Sequence, residues 1–272
     1  MDFQEPFTDQ ELQMIDAIEA SYTKKRLSRA DHTREARLRT DRYLPSSLLA
    51  SPSSSSFSLT PCQANLRMKY QPLSFGGQIL YSKTSTEVQK AAVELLQFLE
   101  VKKKETGQVA IGFDIEWRPS FKRGVLPGKA AVMQICGDTS HCYVMHIIHS
   151  GIPPSLRSLL EDSSVLKVGI GIVNDATKIF NDYDVSVKGV NDLCYRANKK
   201  LGGSFKKWSL ASLTEMLLCK ELPKPNKIRL GNWEANVLTK AKLQYAATDA
   251  YASWHLYQVL ESLPDLVEDA AD

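Results

Sequence analysis

The chain has 272 residues, 43% of them hydrophobic, and a formal net charge of +3. That length suits one domain of ordinary to large size with its own core, or two small ones. No apolar run is long enough to span a bilayer, the N-terminal MDFQEPFTDQELQ lacks the apolar stretch of a secretory signal, and the five scattered cysteines contain no CxxC. Membrane-spanning and disulfide-stapled secreted classes are therefore set aside.

The first 63 residues do not read as a folded domain. Thr8 and Glu11 form a capping box, and Leu12, Ile15, Ile18 and Tyr22 make one apolar stripe, which predicts a helix over residues 8–22. An isolated helix this short is marginal in water, so it is expected to fold into a partner's groove. Asp9, Glu11, Asp16 and Glu19 favour a basic groove, and docking on the chain's own folded domain is the alternative. The run TKKRLSRADHTREARLRTDR follows, suited to a nuclear import signal or a nucleic-acid tether. LPSSLLASPSSSSFSLTPCQ is then a Ser/Pro linker with too few large side chains to offset chain entropy, so residues 1–63 are expected to be mostly disordered.

Residues 64–262 are expected to form the folded domain, with residues 263–272 an acidic tail. QILYS reads as a short strand. Thr84 and Glu87 cap a helix whose Val88, Ala91, Ala92, Leu95 and Leu99 recur at helical spacing. VAIGFDIEW (109–117), KAAVMQIC (129–136) and HCYVMHI (141–147) predict a three-strand meander. A helix near 154–161, the strand VLKVGIG (165–171) and helices over 174–181, 192–200, 209–219 and 239–260 complete the pattern. The class is α/β, a mixed sheet flanked by helices. Residues 199–229 carry eight basic side chains against two acidic ones, which suits a polyanion or, equally, a solvated lysine-rich surface.

Three segments carry candidate chemistry. In VAIGFDIEW, strand alternation puts Val109, Ile111, Phe113, Ile115 and Trp117 on one face and Ala110, Gly112, Asp114 and Glu116 on the other. Two carboxylates that share a face beside a buried sheet repel each other, and burial raises their pKa values; a divalent cation relieves both problems. An ordinary amphipathic strand with a solvated acidic face is the plainer reading. In VGIGIVND, Asp175 stands at a helix start, where capping together with Asn174 would also explain it. A dinucleotide-binding reading fails there, because Asn174 occupies the third glycine position. In LTKAKLQYAATDAYASWHLYQVL, Tyr245 and Asp249 lie one helical turn apart among alanines that permit close packing; alone they read as a core tyrosine beside a surface acid. Cys136, Cys142, His146 and His149 lack finger or ribbon spacing, so zinc is set aside.

Taken together, D-x-E on a strand, D after a strand and Y-x-x-x-D on a late helix resemble the DEDD superfamily of 3'-5' exonucleases, which has a ribonuclease-H-like fold. FDIEW, the segment with Gly128, Lys129, Ala131 and Gln134, VGIGIVND, RLGNW and YAATDAY are specifically similar to the exonuclease domain of the Werner-syndrome protein family, over residues 76–262. With FTDQELQMIDAIEASY in front and no helicase behind, the chain resembles the stand-alone plant form and is expected to be of that kind. Gln244 occupies the position where one subclass has histidine, so Tyr245 places the chain in the tyrosine subclass.

The resemblance implies hydrolysis of the terminal phosphodiester at a free DNA 3' end, with release of nucleoside 5'-monophosphates. It implies work in the nucleus in DNA repair, replication or recombination, with a separate RecQ-type helicase or Ku as partner. Asp114, Glu116 and Asp249 would hold one metal ion, and Asp114 with Asp175 a second. Acids without His or Cys suit Mg²⁺ or Mn²⁺. The Tyr245 hydroxyl would orient the attacking water, since an ordinary pKa near 10 favours orientation over general-base action. Arg118, Lys122, Arg123, Lys129, Lys206, Lys207, Lys227, Arg229 and Trp233 are the candidates for phosphate contacts and base stacking. Trp117 faces away from the acids by strand parity and reads first as core packing. An RNase D-like exoribonuclease with the same machinery and a non-catalytic nucleic-acid-binding adaptor are the alternatives.

Overall fold

The computed structural model describes residues 70–121 and 124–264. The expected helix over 8–22, the arginine-rich run, the linker, most of the acidic tail, and Lys122 and Arg123 lie outside the described residues.

Strand β1 (Gln78–Ser82) leads into helix α1 (Ser85–Thr106), whose start carries the expected capping box: Thr84 Oγ1 accepts from Glu87 N–H, and the Glu87 carboxylate accepts from Thr84 N–H. Strands β2 (Val109–Trp117), β3 (Ala130–Cys136) and β4 (His141–Met145) form the expected antiparallel meander. Strand β4 stops two residues short of the expected end, because His146 N–H donates to Ser82 O and the chain turns into the helical turn α2 (Ile147–Ser150). Helix α3 (Pro154–Glu161) and strand β5 (Val165–Gly169) follow. Helix α4 (Ile172–Tyr183) starts earlier than expected. Gly171 takes a left-handed φ of 70° at its N-cap, and its N–H donates to Asp192 Oδ2 at 2.9 Å. Asp175 therefore stands inside the first turn and is not the cap. Strand β6 (Val190–Asp192) and the later helix α7 (Asn226–Arg229), like α2, span only three or four residues, too few for a periodic signal. Helices α5 (Leu193–Leu201), α6 (Leu210–Leu218) and α8 (Lys240–Ser262) complete the domain.

The six strands form one mixed sheet in the order β1-β4-β3-β2-β5-β6. β2 lies centrally, antiparallel to β3 and parallel to β5. On one face, Val109, Ile111, Phe113 and Ile115 pack with Leu95 and Leu99 of α1, Leu156 and Leu159 of α3, and Ile172 and Ile179 of α4. On the other face lies α8, whose Ala246, Ala247 and Ala250 pack with Val132 and Cys136 of β3, while Leu256 and Leu260 pack with Ala110 and Val168. Gly112 makes that approach possible. A Cβ there would overlap the Ala250 carbonyl oxygen and lie 2.7 Å from Trp254 N.

Candidate active site

Period-two alternation and the α8 approach together build the acidic centre. Asp114 and Glu116 project from β2 towards α8, and Asp249 comes down from α8 to meet them. One carboxylate oxygen from each lies within 4.8 Å of the others. Among the described residues this is the cluster of metal-ligating side chains. A register shift between Glu116 and Trp117 leaves Ala131 as the extra residue of β3, because Glu116 pairs with Val132 and Trp117 with Ala130. Bulges of this kind re-aim strand side chains beside active sites. Helix α4 secures that irregular start of β3: Ala130 N–H donates to Asp182 Oδ2, Tyr183 Oη–H donates to Ala130 O, and the Lys178 ammonium donates to Gly128 O.

The electrostatics are those of like charges crowded together out of water. At 4.8 Å and an effective dielectric near 20, two carboxylates repel by about 3 kcal/mol. Burial, reinforced by Asp175 and Asp249, holds the Asp114 carboxyl well above the carboxylate range. Burial, reinforced by Asp114 and Asp249, does the same to Glu116. Asp249 is raised by burial to about 6, against the opposing effects of Lys224, the Tyr245 hydroxyl and Arg229. Asp175 is raised to about 7 by burial and by the charge of Asp192. Asp249 Oδ1 is buried without a hydrogen-bond partner. An all-oxygen donor set with an orphaned, buried carboxylate oxygen fits a hard divalent cation.

These acids line a cavity of about 510 Å³ that also takes in Asp175, Tyr245, Trp117, Ile170, Lys207, Trp208, Ser209, Lys224 and Arg229. Tyr245 shares a face of α8 with Asp249, one helical turn away, and lines the same cavity. Burial and three neighbouring carboxylates push its pKa upward, so the hydroxyl stays protonated. Gln244 and Thr248, the adjacent pair on the same helix, serve another end. Gln244 Nε2 donates to Phe75 O at 2.8 Å and Thr248 Oγ1 accepts from Phe75 N–H at 3.1 Å, pinning the segment that precedes β1.

The nucleic-acid candidates divide. Lys207 and Arg229 line the cavity. Lys206 is exposed beside it, its ammonium 3.7 Å from the centre of the Trp208 ring. Lys129 sits over the Tyr183 ring, and Lys227 is exposed on α7; neither lines the cavity. Arg118 is half-buried at the end of β2, where its carbonyl accepts from Gly128 N–H. Trp233 is a correction. It is 0% exposed and packs in the cluster beneath α8, so it offers no stacking surface. Its indole N–H donates to Arg229 O, and its carbonyl faces His146 Nε2 at 2.9 Å. His146, held down to about 4 by burial, is neutral; Nε2–H donates to that carbonyl and Nδ1 accepts from Tyr81 Oη–H. This buried core anchors the end of α7, whose last residue Arg229 lines the cavity, and it engages both ring nitrogens of His146, which leaves neither free for zinc.

Two residues without an assigned role in the sequence belong to the site. Gln134, fully buried, is the cross-strand partner of Asp114, and its Nε2 donates to Asp114 Oδ2 at 3.4 Å. The sequence singled it out only as part of a segment shared with the Werner-like exonucleases, and its place in the β2–β3 pairing gives it this contact. Lys224 lines the cavity and lowers the pKa of both Asp114 and Asp249. Its flanking Pro223 and Pro225, which stiffen the backbone, were the available signal.

A mixed sheet flanked by helices, with an acidic cluster between the central strand and the last helix, defines a ribonuclease-H-like nuclease fold. Similarity to known proteins agrees. Residues 85–264 match the 3'-5' exonuclease family, and the chain belongs to it. It is 53% identical over 279 residues to a 3'-5' exonuclease of Arabidopsis thaliana, covering 96% of each chain. It is 37% identical over 197 residues to the bifunctional 3'-5' exonuclease/ATP-dependent helicase WRN of Mus musculus, covering 72% of this chain but 14% of that one. The expected Werner-like kinship is thus borne out. Among solved structures, Trypanosoma brucei RNase D in complex with RNA U12 superimposes with a TM-score of 0.57 at 17% identity, covering 71% of this chain and 65% of that one. The Aedes aegypti Nibbler exonuclease domain gives 0.54 at 21% identity, covering 67% and 87%. Both show the likeness of fold.

Proposed function

We propose that the chain removes nucleotides one at a time from the 3' end of DNA by metal-dependent hydrolysis. The observation that carries this reading is the buried cluster of Asp114, Glu116 and Asp249 at the floor of a cavity whose mouth bears Lys207, Lys224 and Arg229. Asp114, Glu116 and Asp249 would hold one Mg²⁺ or Mn²⁺. Asp175, which lines the same cavity and acts on the Asp114 charge, would share a second with Asp114. Such cations, when bound, supply positive charge to the attacking and leaving oxygens of a phosphoryl displacement.

The chain's own residues orient and bind. Tyr245, kept protonated by burial and by the neighbouring carboxylates, would hold a water by its hydroxyl and not take its proton. Gln134 fixes the carboxylate plane of Asp114. The three cations at the mouth draw the phosphate backbone towards the floor.

The Werner-like motifs support DNA as substrate, and the kinship with a chain that carries both exonuclease and ATP-dependent helicase supports a role beside a helicase in DNA repair or replication. The arginine-rich run at residues 23–42 supports a nuclear location. Digestion of matched end-labelled DNA and RNA duplexes with recessed 3' ends, with and without Mg²⁺, tests the reading. The expected result is Mg²⁺-dependent stepwise shortening of DNA with release of 5'-mononucleotides. Preferential loss of RNA would instead support the RNase D-like reading, and no metal-dependent release from either would sink the nuclease assignment.

A further inference from the structure

The loop between α5 and α6 holds a large apolar side chain out to water, two residues before the cavity-lining Lys207. Phe205 is 74% exposed, although the backbone around it is tightly held. Gly202 and Gly203 turn the chain off α5 with φ of 64° and 79°, a region that glycine alone enters freely. Asn198 then clamps the next turn from both sides: Oδ1 accepts from Lys206 N–H at 2.8 Å, and Nδ2 donates to Lys206 O at 2.9 Å. Cys194 Sγ accepts from Trp208 N–H, and the Trp208 side chain is buried among Leu193, Ala197 and Leu213. Lys207, Trp208 and Ser209 continue directly into the cavity wall.

We infer that this loop is a second nucleic-acid contact, in which Phe205 stacks a base of the single strand whose 3' end enters the acidic cavity. The inference rests on the nuclease reading and extends it. An exposed ring beside Lys206 and Lys207 has the composition of a single-strand site, an aromatic face for a base next to cations for the backbone. Two residues of chain, at most about 7 Å of backbone, separate Phe205 from the cavity-lining Lys207, so a strand leaving the cavity passes the ring within a few nucleotides. The clamped backbone fixes where the ring emerges, so stacking orders only its side-chain torsions and costs little conformational entropy.

The test is a binding series in the full chain carrying Asp114→Asn, so that the strand is not consumed. The ligands are a single-stranded DNA oligonucleotide and a set of copies, each with one abasic position. With Phe205 present, one internal abasic position should weaken binding about tenfold, the scale of one base–aromatic stack. Phe205→Ala should lose about the same factor on the intact strand, show no further loss at that position, and keep the salt slope unchanged because no charge is removed. Phe205→Leu should behave as the alanine variant does, and Phe205→Trp should keep both the affinity and the abasic sensitivity. Unchanged affinity in Phe205→Leu, or abasic penalties that persist in it, would overturn the stacking contact. Metal-dependent mononucleotide release by the unaltered chain tests the nuclease reading separately, so the two can fail independently.

Discussion

The floor and the mouth of the cavity carry opposite charges under opposite conditions. Asp114, Glu116 and Asp249 at the floor are held by a central strand and a packed helix, and burial raises all three pKa values. At the mouth, Lys207 and Lys224 are exposed. Charge removed from water has large effects that the fold must bear, whereas exposed charge is screened and acts mostly on encounter. The floor should therefore determine whether chemistry occurs, and the mouth how readily a strand arrives.

The sharpest test of that division is at the floor. Asp114→Ala should lower turnover at least about a thousandfold, the scale of losing a principal electrostatic contributor, with the circular dichroism spectrum unchanged. Turnover within tenfold of the parent would remove Asp114 from the machinery. Tyr245→Phe loses only a hydroxyl and should cost roughly a hundredfold in kcat with strand affinity preserved. A loss confined to affinity would instead make Tyr245 a binding residue. Gln134→Met keeps the buried volume but removes the donor to Asp114, so calorimetry should report Mn²⁺ binding weakened about tenfold. Unchanged Mn²⁺ affinity would reduce Gln134 to packing.

The floor also predicts a pH dependence with a definite sign. Asp249 and Asp175 hold their protons up to about 6 and about 7 in the fold, against an ordinary 3.8. The folded state thus binds more protons than the unfolded one between these values, and the metal-free protein loses stability as pH rises from about 4 through about 7. A cation that binds the ionised acids opposes this loss. The Mg²⁺-induced gain in Tm should be near zero around pH 4 and grow to about pH 7. A gain of the same size at every pH would detach the cation from these acids. The smallest effects belong to the mouth. Lys207→Gln and Lys224→Gln should each weaken single-strand binding a few-fold and flatten the salt slope by about 0.7. Lys129→Gln, whose ammonium sits over Tyr183 outside the cavity lining, should leave the slope alone. Equal effects at all three positions would dissolve the distinction between a cavity mouth and a generally basic surface.

Local periodicity in the amino-acid sequence made much of this legible. Alternation along β2 put Asp114 and Glu116 on one face, helical spacing put Tyr245 and Asp249 on another, and the Thr84–Glu87 box marked the start of α1. Those relations depend on backbone sterics between near neighbours, which any stretch of chain carries with it. Other features rest on pairings across the chain. Arg229 ends α7 and Trp233 follows four residues later, yet Arg229 lines the cavity while Trp233 is sealed in the core, where its carbonyl meets His146. Gln134 gains its role only from the register opposite Asp114, and Gln244 and Tyr245 part company only because the Phe75 backbone lies against one side of α8. Among the lysines of residues 199–229, composition showed a basic stretch, but sheet order and loop anchoring selected Lys207 and Lys224 for the cavity. Burial and partnership are properties of the assembled layers, and no window of neighbouring residues contains them.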